Sequence, residues 1–362
     1  MRIVLDTLGG DNPPEEIITG GIEAAKELGV EVALAGPREL IEKALAAAGR
    51  SAERISIPIT IIEAQEAITM EDSPTEAIRR KRSSSLIQGI LAVKEGKADG
   101  FVSPGNTGAV MAAATLELGR LAGIDRPALA VLIPALDGRR FLLLDVGANA
   151  DCSPLNLKQF AIMGQVYMRE VFGIDHPKVG LLNIGTERGK GSELARKTYP
   201  LLEELEGFVG NVESNRILQG GVDVVVCDGF VGNVLLKGLE GSSHALLKLI
   251  KRTIQRSLPA KLGAFLLSPA LQRVKEELDA AHYGGAPLLG VRGVVIVAHG
   301  HSDAEAIKNA IRVAKSAVEN ELPRRIEEGI ARLAPKVTWF QTLRRKRERE
   351  RKEKERGEGQ GS

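Results

Sequence analysis

Clusters of glycine, asparagine and aspartate follow several short apolar runs, and they carry most of the residues suited to chemistry. Glycine lets the backbone approach a ligand closely, and asparagine and threonine add neutral hydrogen-bond donors and acceptors. A loop of this kind that leads into a helix directs unpaired N–H groups at an anion. The candidate phosphate- and substrate-binding residues are Gly9, Gly10, Asp11, Ser103, Gly105, Asn106, Thr107, Gly108, Asn149, Gly185, Thr186, Glu187, Asp228, Gly229 and His299.

The strongest local case is Ser103–Gly108, which precedes an alanine-rich helical stretch. Taken alone, this loop is explained equally well as a cradle for phosphate or phosphopantetheine and as an ordinary strand-to-helix turn. Six such loops in one chain favour a shared cleft, in which the strand ends converge on a single pocket. None has the Gly-x-Gly-x-x-Gly pattern of dinucleotide sites or the Walker Gly-Lys-Ser/Thr. The sequence therefore predicts no cofactor, neither NAD nor ATP.

Two side chains are candidates for the catalytic step. Lys190 lies between Gly189 and Gly191, and its ammonium is suited to neutralising phosphate or a developing oxyanion. The alternative is a solvated loop lysine. Asn233 follows Gly232 and either caps a helix or donates to a thioester carbonyl.

Other reactive groups are expected to be structural. Cys152 and Cys227 are predicted to be small buried apolar groups rather than nucleophiles. His299 is either a general base or a hydrogen-bonded structural histidine. No metal site is predicted, because the spacing of the carboxylates favours helix caps and loop braces. These carboxylates are Asp6, Asp11, Asp145 and Asp228.

These loops need a scaffold, and the hydrophobic periodicity predicts one in which strands and helices alternate. The predicted strands are Ile3–Leu5, Glu31–Ala35, Gly100–Val102, Leu142–Val146, Val179–Ile184, Val222–Val226 and Val294–Val297. The predicted helices are Glu15–Leu28, Arg38–Ala48, Thr75–Lys94, Gly108–Leu118, Leu155–Phe172 and Glu193–Glu203. Alternation of this kind predicts a three-layer α/β/α fold with a mostly parallel sheet, in which ligands bind beyond the carboxyl ends of the strands.

Residues 233–281 break this alternation and predict a protruding helical hairpin with an apolar turn at Leu258–Leu271. The apolar stripes of its arms are expected to form the core of a dimer. Its tip is expected to insert shallowly into a membrane surface through Leu262, Phe265, Leu266 and Leu267, and the alternative is a tip packed on the partner subunit. We assign residues 1–340 to one catalytic domain and residues 341–362 to a charged, disordered tail.

Composition excludes several classes of protein. The 362 residues are 43% hydrophobic, which is enough for a sizeable core, but only 3% aromatic, which disfavours a base-stacking surface. Without Arg344–Ser362, the chain has 40 basic and 42 acidic side chains, so residues 1–343 carry a slight negative charge. This balance disfavours a nucleic-acid-binding protein. Two cysteines without metal-ligand spacing, and no signal-peptide pattern or bilayer-spanning run, predict a cytoplasmic protein.

The ordered set of motifs resembles the PlsX family of acyl-ACP:phosphate acyltransferases over about residues 1–320. Small departures are Thr7-Leu8, where the family usually has Ala-Met, and Pro104, where it usually has Ala. The segments that carry the resemblance are Met1–Asn12, Ala77–Lys81, Gly105–Ala109, Ile124–Ala128, Asp145–Asn149, Gly180–Glu187, Cys227–Asn233, Tyr283–Gly290 and Ala306–Ile311.

The resemblance implies transfer of a long acyl chain from acyl carrier protein to inorganic phosphate, the first step towards phosphatidic acid. It implies a fold similar to those of phosphotransacetylases and isocitrate-dehydrogenase-like enzymes, with Lys190 and Asn233 in the active site. It also implies a homodimer, contact with the inner face of the cell membrane, and a downstream glycerol-phosphate acyltransferase as a further partner.

Three rival functions remain open at this point. A phosphotransacetylase acting on acetyl-CoA would share the fold and the chemistry. A dehydrogenase of related fold is disfavoured by the missing dinucleotide fingerprint. A non-catalytic scaffold that binds an acyl carrier or phosphate is disfavoured by the dense polar loops.

Overall fold

A computed structural model describes residues 1–11, 14–47, 58–272 and 284–332. Their strands form one eleven-stranded sheet in the order β3-β2-β1-β4-β11-β10-β5-β6-β9-β7-β8. The strands are β1 (Arg2–Asp6), β2 (Glu31–Gly36), β3 (Ile59–Glu63), β4 (Gly100–Ser103), β5 (Ala128–Pro134), β6 (Arg140–Leu144), β7 (Val179–Asn183), β8 (Phe208–Glu213), β9 (Val224–Val226), β10 (Ala286–Leu289) and β11 (Val294–Val297).

Helices cover both faces of this sheet. They are α1 (Glu15–Leu28), α2 (Arg38–Ala47), α3 (Pro74–Arg80), α4 (Ser85–Lys94), α5 (Thr107–Glu117), α6 (Pro154–Phe172), α7 (Glu193–Leu202), α8 (Gly229–Ile254), α9 (Leu258–Leu266) and α10 (Ala304–Glu319). Ile3 and Leu5 belong to one apolar core and Val4 to another, because successive side chains of a strand point to opposite faces. The predicted three-layer α/β/α fold is confirmed.

The sheet is mostly parallel, as predicted, but its centre is not. Seven of its ten strand pairings are parallel. The pairings β11–β10, β10–β5 and β5–β6 are antiparallel. Three successive reversals leave β6, β9 and β7 running opposite to β1, β4 and β11. The carboxyl ends of the two sets therefore point in opposite directions, although the register across the central strands places Leu5 of β1 and Leu144 of β6 at the same level of the sheet.

The prediction missed four strands, the helix α10 and one helix boundary. The strands β3, β5, β8 and β10 were absent from the predicted set, and β5 and β10 are the strands that reverse the direction. The predicted helix Thr75–Lys94 is two helices, α3 and α4. Ser84 ends the interruption by capping α4, where its hydroxyl accepts from the Ile87 N–H.

The protruding hairpin is described in part. Its first arm is α8, which is 26 residues long and buries only Gly229 and Gly232. The predicted apolar turn at Leu258–Leu271 is wrong over most of its length, because Ser257 caps α9 there and proline is tolerated in a first helical turn. The second arm, beyond residue 272, and the predicted tail lie outside the described residues. No described helix is long and apolar enough to cross a bilayer.

Candidate active site

Asp6 organises the loops at the carboxyl ends of β1 and β4. Its carboxylate accepts hydrogen bonds from the hydroxyls of Ser85 (2.6 Å) and Ser103 (2.7 Å). It also accepts from the backbone N–H groups of Leu8 and Gly9, each at 3.2 Å. Complete burial raises the pKa of this carboxyl, and the four donors oppose that rise. The side chains of Asp6 and Ser103 are therefore braces between loops.

The predicted residues of the loops after β1, β4 and β11 do come together around this brace. A Cβ built on Gly9 would lie 2.7 Å from the Gly105 nitrogen, so only glycine permits this approach of two loops. The Asp11 N–H donates to the Gly300 carbonyl at 2.8 Å. His301, which the sequence analysis did not single out, pairs with Asp11 at 2.6 Å. His299 accepts from the His301 N–H, so these loops form one cluster.

Asn106 caps α5 and is engaged by the protein on both sides of its amide. Its Oδ1 accepts from the Ala109 N–H at 3.1 Å. Its Nδ2 lies within 3.3 Å of three carbonyl oxygens, those of Thr69, Met70 and Asp72. The side chain therefore ties residues 69–72 to the helix start. The groups left for an anion are the backbone N–H groups of Thr107 and Gly108, which have no carbonyl partner within the helix because they lie in its first turn.

Asp145 organises the loop after β6 in the same manner. Its carboxylate accepts from the N–H groups of Leu129, Gly147, Ala148 and Asn149, and from the Asn149 Nδ2, at 2.7–3.2 Å. Burial raises its pKa, and these donors oppose the rise. The Asn149 Nδ2 also donates to the Pro127 carbonyl at 2.7 Å. The predicted ligand Asn149 is thus fixed in place as part of the loop.

The start of α8 packs directly on this loop. The Gly229 N–H donates to the Asn149 carbonyl at 2.8 Å, and Asp228 caps the helix by accepting from the Val231 N–H at 2.9 Å. One turn further, Asn233 faces the loop, since a Cβ built on Gly147 would lie 3.6 Å from the Asn233 Nδ2. Asn233 is exposed, and no described residue hydrogen-bonds to its amide. Asp228 is the cap, which leaves Asn233 available to a substrate.

The loop after β7 presents the other catalytic candidate. Gly185 is buried, whereas Thr186, Glu187 and Lys190 are exposed. Within the described residues, the Lys190 ammonium has no carboxylate within ion-pair distance. Since β6, β9 and β7 are neighbours in the sheet, the loops that carry Asp145, Asn233 and Lys190 share one edge.

The two thiols lie beside this second cluster but are not activated. Burial raises the pKa of Cys152 to about 12, and it raises the pKa of Cys227 as well. A thiol with such a pKa holds almost no thiolate at neutral pH. In the described part of the chain, no three His, Cys, Asp or Glu side chains are grouped as metal ligands.

The described hydrogen bonds thus tie the candidate residues into two groups, one around Asp6 and one around Asp145, and the single shared pocket stays a prediction. β1 and β6 are five strand spacings apart, about 24 Å at about 4.8 Å per spacing. Six spacings, about 29 Å, separate β4 from β7. Counted along the sheet, the loops with Gly105–Gly108 and Lys190 therefore follow strands of different halves.

Comparisons with known proteins agree with the fold. A phosphotransacetylase from Streptococcus pyogenes matches with a TM-score of 0.56 at 18% identity, covering 90% of this chain and 94% of that one. A branched-chain phosphotransacylase from Enterococcus faecalis matches with a TM-score of 0.53 at 14% identity, covering 87% and 99%. At these identities the likeness concerns the fold alone.

Other proteins are much more similar to this chain in sequence than these solved structures are. Phosphate acyltransferase of Heliobacterium modesticaldum is 50% identical over 331 residues, covering 91% of this chain and 98% of its own. Phosphate acyltransferase of Dictyoglomus thermophilum is 46% identical over 338 residues, covering 93% and 99%. The family model described as "Fatty acid synthesis protein" matches residues 1–325. The chain therefore belongs to the PlsX family of phosphate acyltransferases.

Proposed function

We propose that this acyltransferase moves a long acyl chain from acyl carrier protein to inorganic phosphate, giving acyl phosphate and the free carrier thiol. The product would be the first intermediate towards phosphatidic acid. The observation that carries the proposal is the pair of unengaged polar side chains, Lys190 and Asn233, on neighbouring strand ends beside the start of α8. An ammonium, an amide donor and helix N–H groups are the groups that an oxyanion and a phosphate require.

Phosphate needs little activation, because its dianion is already present near pH 7. Lys190 holds the phosphate, one of whose oxygens attacks the thioester carbon. The carbonyl becomes an oxyanion, which accepts a hydrogen bond from the Asn233 amide. When the oxyanion collapses, the C–S bond breaks and the thiolate leaves without a general acid. Positioning of the two reactants contributes about 7–11 kcal/mol in favourable cases.

The first cluster receives a different role in this scheme. Its free first-turn N–H groups at Thr107 and Gly108 suit the phosphodiester of a phosphopantetheine arm. An extended arm of this kind places its thioester well away from its phosphate. In this scheme the N–H groups of Thr107 and Gly108 hold the phosphate of the arm, and Lys190 and Asn233 act at its thioester.

The hairpin supports two further proposals, a homodimer and membrane contact. Leu246 and Leu249 of α8 are each 52% exposed, and we assign this apolar side to a second copy of the chain. The predicted tip residues Leu262, Phe265, Leu266 and Leu267 are 59–75% exposed. Residues 229–272 carry six Lys or Arg and one Glu, a balance that favours an anionic lipid surface. We place the enzyme in the cytoplasm at the inner face of the membrane, where it would hand its product to a glycerol-phosphate acyltransferase.

A substrate comparison tests the proposal. The purified chain is given phosphate together with either palmitoyl-ACP or acetyl-CoA, and the release of free thiol is measured. We expect phosphate-dependent release from palmitoyl-ACP and little from acetyl-CoA. The opposite preference would favour the phosphotransacetylase alternative, and no phosphate-dependent release from either would favour the scaffold.

A further inference from the structure

Lys190 closes a tight turn whose two ends are both held by side-chain amides. Its N–H donates to the Glu187 carbonyl at 3.1 Å, which closes the turn. The Glu187 carbonyl also accepts from the Asn211 Nδ2 at 2.8 Å. The Lys190 carbonyl accepts from the Asn183 Nδ2 at 3.1 Å. The turn therefore rests on two asparagines, one at each end.

These asparagines are parts of the rigid sheet. Asn183 ends β7 and Asn211 lies in the adjoining parallel strand β8, and both are less than a tenth exposed. The Asn183 Oδ1 accepts from the Ile184 N–H at 2.9 Å, which fixes the orientation of its amide. The Asn211 Oδ1 is buried without a hydrogen-bond donor among the described residues, so this side chain serves only as a donor to the turn.

Gly191 lets Asn183 lie close beneath the turn. Its φ of 91° is one that side chains rarely adopt. A Cβ built on it would lie 2.8 Å from the Asn183 Cγ and would displace the amide from the Lys190 carbonyl. The chain thus has glycine at the position where any side chain would break the hydrogen bond to Lys190.

The turn carries two cations, and only one is left for a ligand. Arg188 is folded back on α7, where it pairs with Glu203 and lies over the Tyr199 ring at 5.5 Å from its centroid. Lys190 has no such partner among the residues described. The backbone clamp therefore fixes the base of Lys190, while its ammonium stays unpaired.

We propose that Asn183 and Asn211 are positioning residues for Lys190, which hold its turn so that the ammonium meets phosphate or the oxyanion. This inference rests on the proposed function, because it assumes that Lys190 acts on the substrate. A reacting group that moves by about 1 Å loses on the order of 100-fold in rate, so a clamp of this kind affects turnover without touching the substrate.

A double-mutant cycle tests the clamp. Asn183→Ala and Asn211→Ala are made in the wild-type chain and in Lys190→Met, and kcat/KM for phosphate is measured with palmitoyl-ACP. Each alanine variant is expected to lower kcat/KM about 10- to 100-fold in the wild type and less than about twofold in Lys190→Met. Equal losses in both backgrounds, or no loss in the wild type, would overturn the clamp.

The controls separate positioning from folding. Gln165→Ala removes a similar amide, which donates to the Pro177 and Glu206 carbonyls near the other ends of β7 and β8, and it should leave kcat/KM within about twofold. Asn211→Asp keeps the shape of the side chain but loses the donor when ionised, so it should lower kcat/KM as Asn211→Ala does. It takes the place of Asn211→Ala in the test if that variant folds poorly. Normal turnover of Lys190→Met would refute the assignment of Lys190 itself, whereas an inactive Lys190→Met with active asparagine variants would refute the clamp alone.

Discussion

Asp6 and Asp145 are buried carboxylates that organise corresponding loops on strands of opposite direction. The strand register aligns Leu5 of β1 with Pro287 of β10, across the strands that lie between them. The register of β10 with β5, and of β5 with β6, then aligns Pro287 with Leu144. Each aspartate comes one residue later, so the two differ by two residue steps along the strands and by five strand spacings across the sheet, about 24 Å. Each aspartate therefore braces its own set of loops.

Replacing Lys190 should abolish most turnover and leave the fold intact. The side chain is exposed and its ammonium has no described ion-pair partner, so Lys190→Met should keep the wild-type Tm. Loss of one group that stabilises negative charge in the transition state typically costs about 10²–10³ in kcat. Release of carrier thiol measures the effect. Lys197→Met, which removes an exposed lysine of α7, is the control, and near-normal turnover of Lys190→Met would contradict the assignment.

Asp145 should be among the most important polar residues for stability. Asp145→Ala leaves buried N–H donors of the 145–149 loop without an acceptor, and we expect a loss of about 3 kcal/mol or more in the free energy of unfolding. Urea denaturation measures this loss. Asp99→Ala removes an acceptor for one exposed N–H, that of Arg2, and should cost much less. Equal effects would show that the Asp145 network is not a brace.

The raised pKa of Asp6 predicts a pH dependence of definite sign. A carboxyl whose pKa in the folded state lies above its unfolded value of 3.8 favours folding when protonated. Its contribution is complete below pH 3.8 and is lost as the pH rises through the folded-state pKa. Relative to Asp6→Asn, the wild type should therefore lose stability between about pH 4 and neutral pH. Urea denaturation of both proteins over this range is the measurement, and a stability difference that stays constant, or that moves in favour of the wild type as the pH rises, would contradict the prediction.

Neither cysteine should be needed for catalysis. The pKa of Cys152 is raised to about 12 and that of Cys227 is raised too, so neither thiol supplies a thiolate nucleophile at neutral pH. Direct attack by phosphate on the thioester needs no such nucleophile. Cys152→Ser and Cys227→Ser should keep kcat within about threefold, because serine differs little in volume. An acyl-enzyme detected by mass spectrometry after incubation with palmitoyl-ACP alone would refute direct attack.

The tip of the hairpin should bind anionic vesicles. Phe265→Asp with Leu266→Asp replaces two side chains that are 75% and 72% exposed, and should weaken co-sedimentation with phosphatidylglycerol-containing liposomes at least tenfold. Leu136→Asp is the matched control, because Leu136 is 86% exposed on a different loop. Unchanged binding of the double variant, or an equal effect of the control, would remove the membrane contact.

Much of the scaffold could be predicted because local patterns determine it. The apolar runs of β1, β4 and β11 and the periodicity of α1 and α6 are visible in the sequence, and so are the glycines beside Asp6 and Asp145. The direction of β6 relative to β1 was not visible, because it depends on β5 and β10, which pair across about 160 residues. Alternation of strands and helices suggested a single edge for all the loops.

The roles of individual side chains were the least predictable part. Asn106 resembles a ligand in sequence, but its amide is used by carbonyl groups 34–37 residues away. Asn211 supports the Lys190 turn through a hydrogen bond to the carbonyl of Glu187, 24 residues away, and Asn211 lies in a strand that was not predicted. In both cases the hydrogen-bond partners are set by tertiary packing, and no local pattern reports them.

The most direct test uses phosphate labelled with oxygen-18 on all four oxygens, palmitoyl-ACP and the purified chain, with mass detection of the product. The account predicts palmitoyl phosphate that retains all four labelled oxygens and forms in equal amount to free carrier thiol, with no product when phosphate is omitted. Thioester loss that is independent of phosphate, or that yields only unlabelled palmitate, would contradict it.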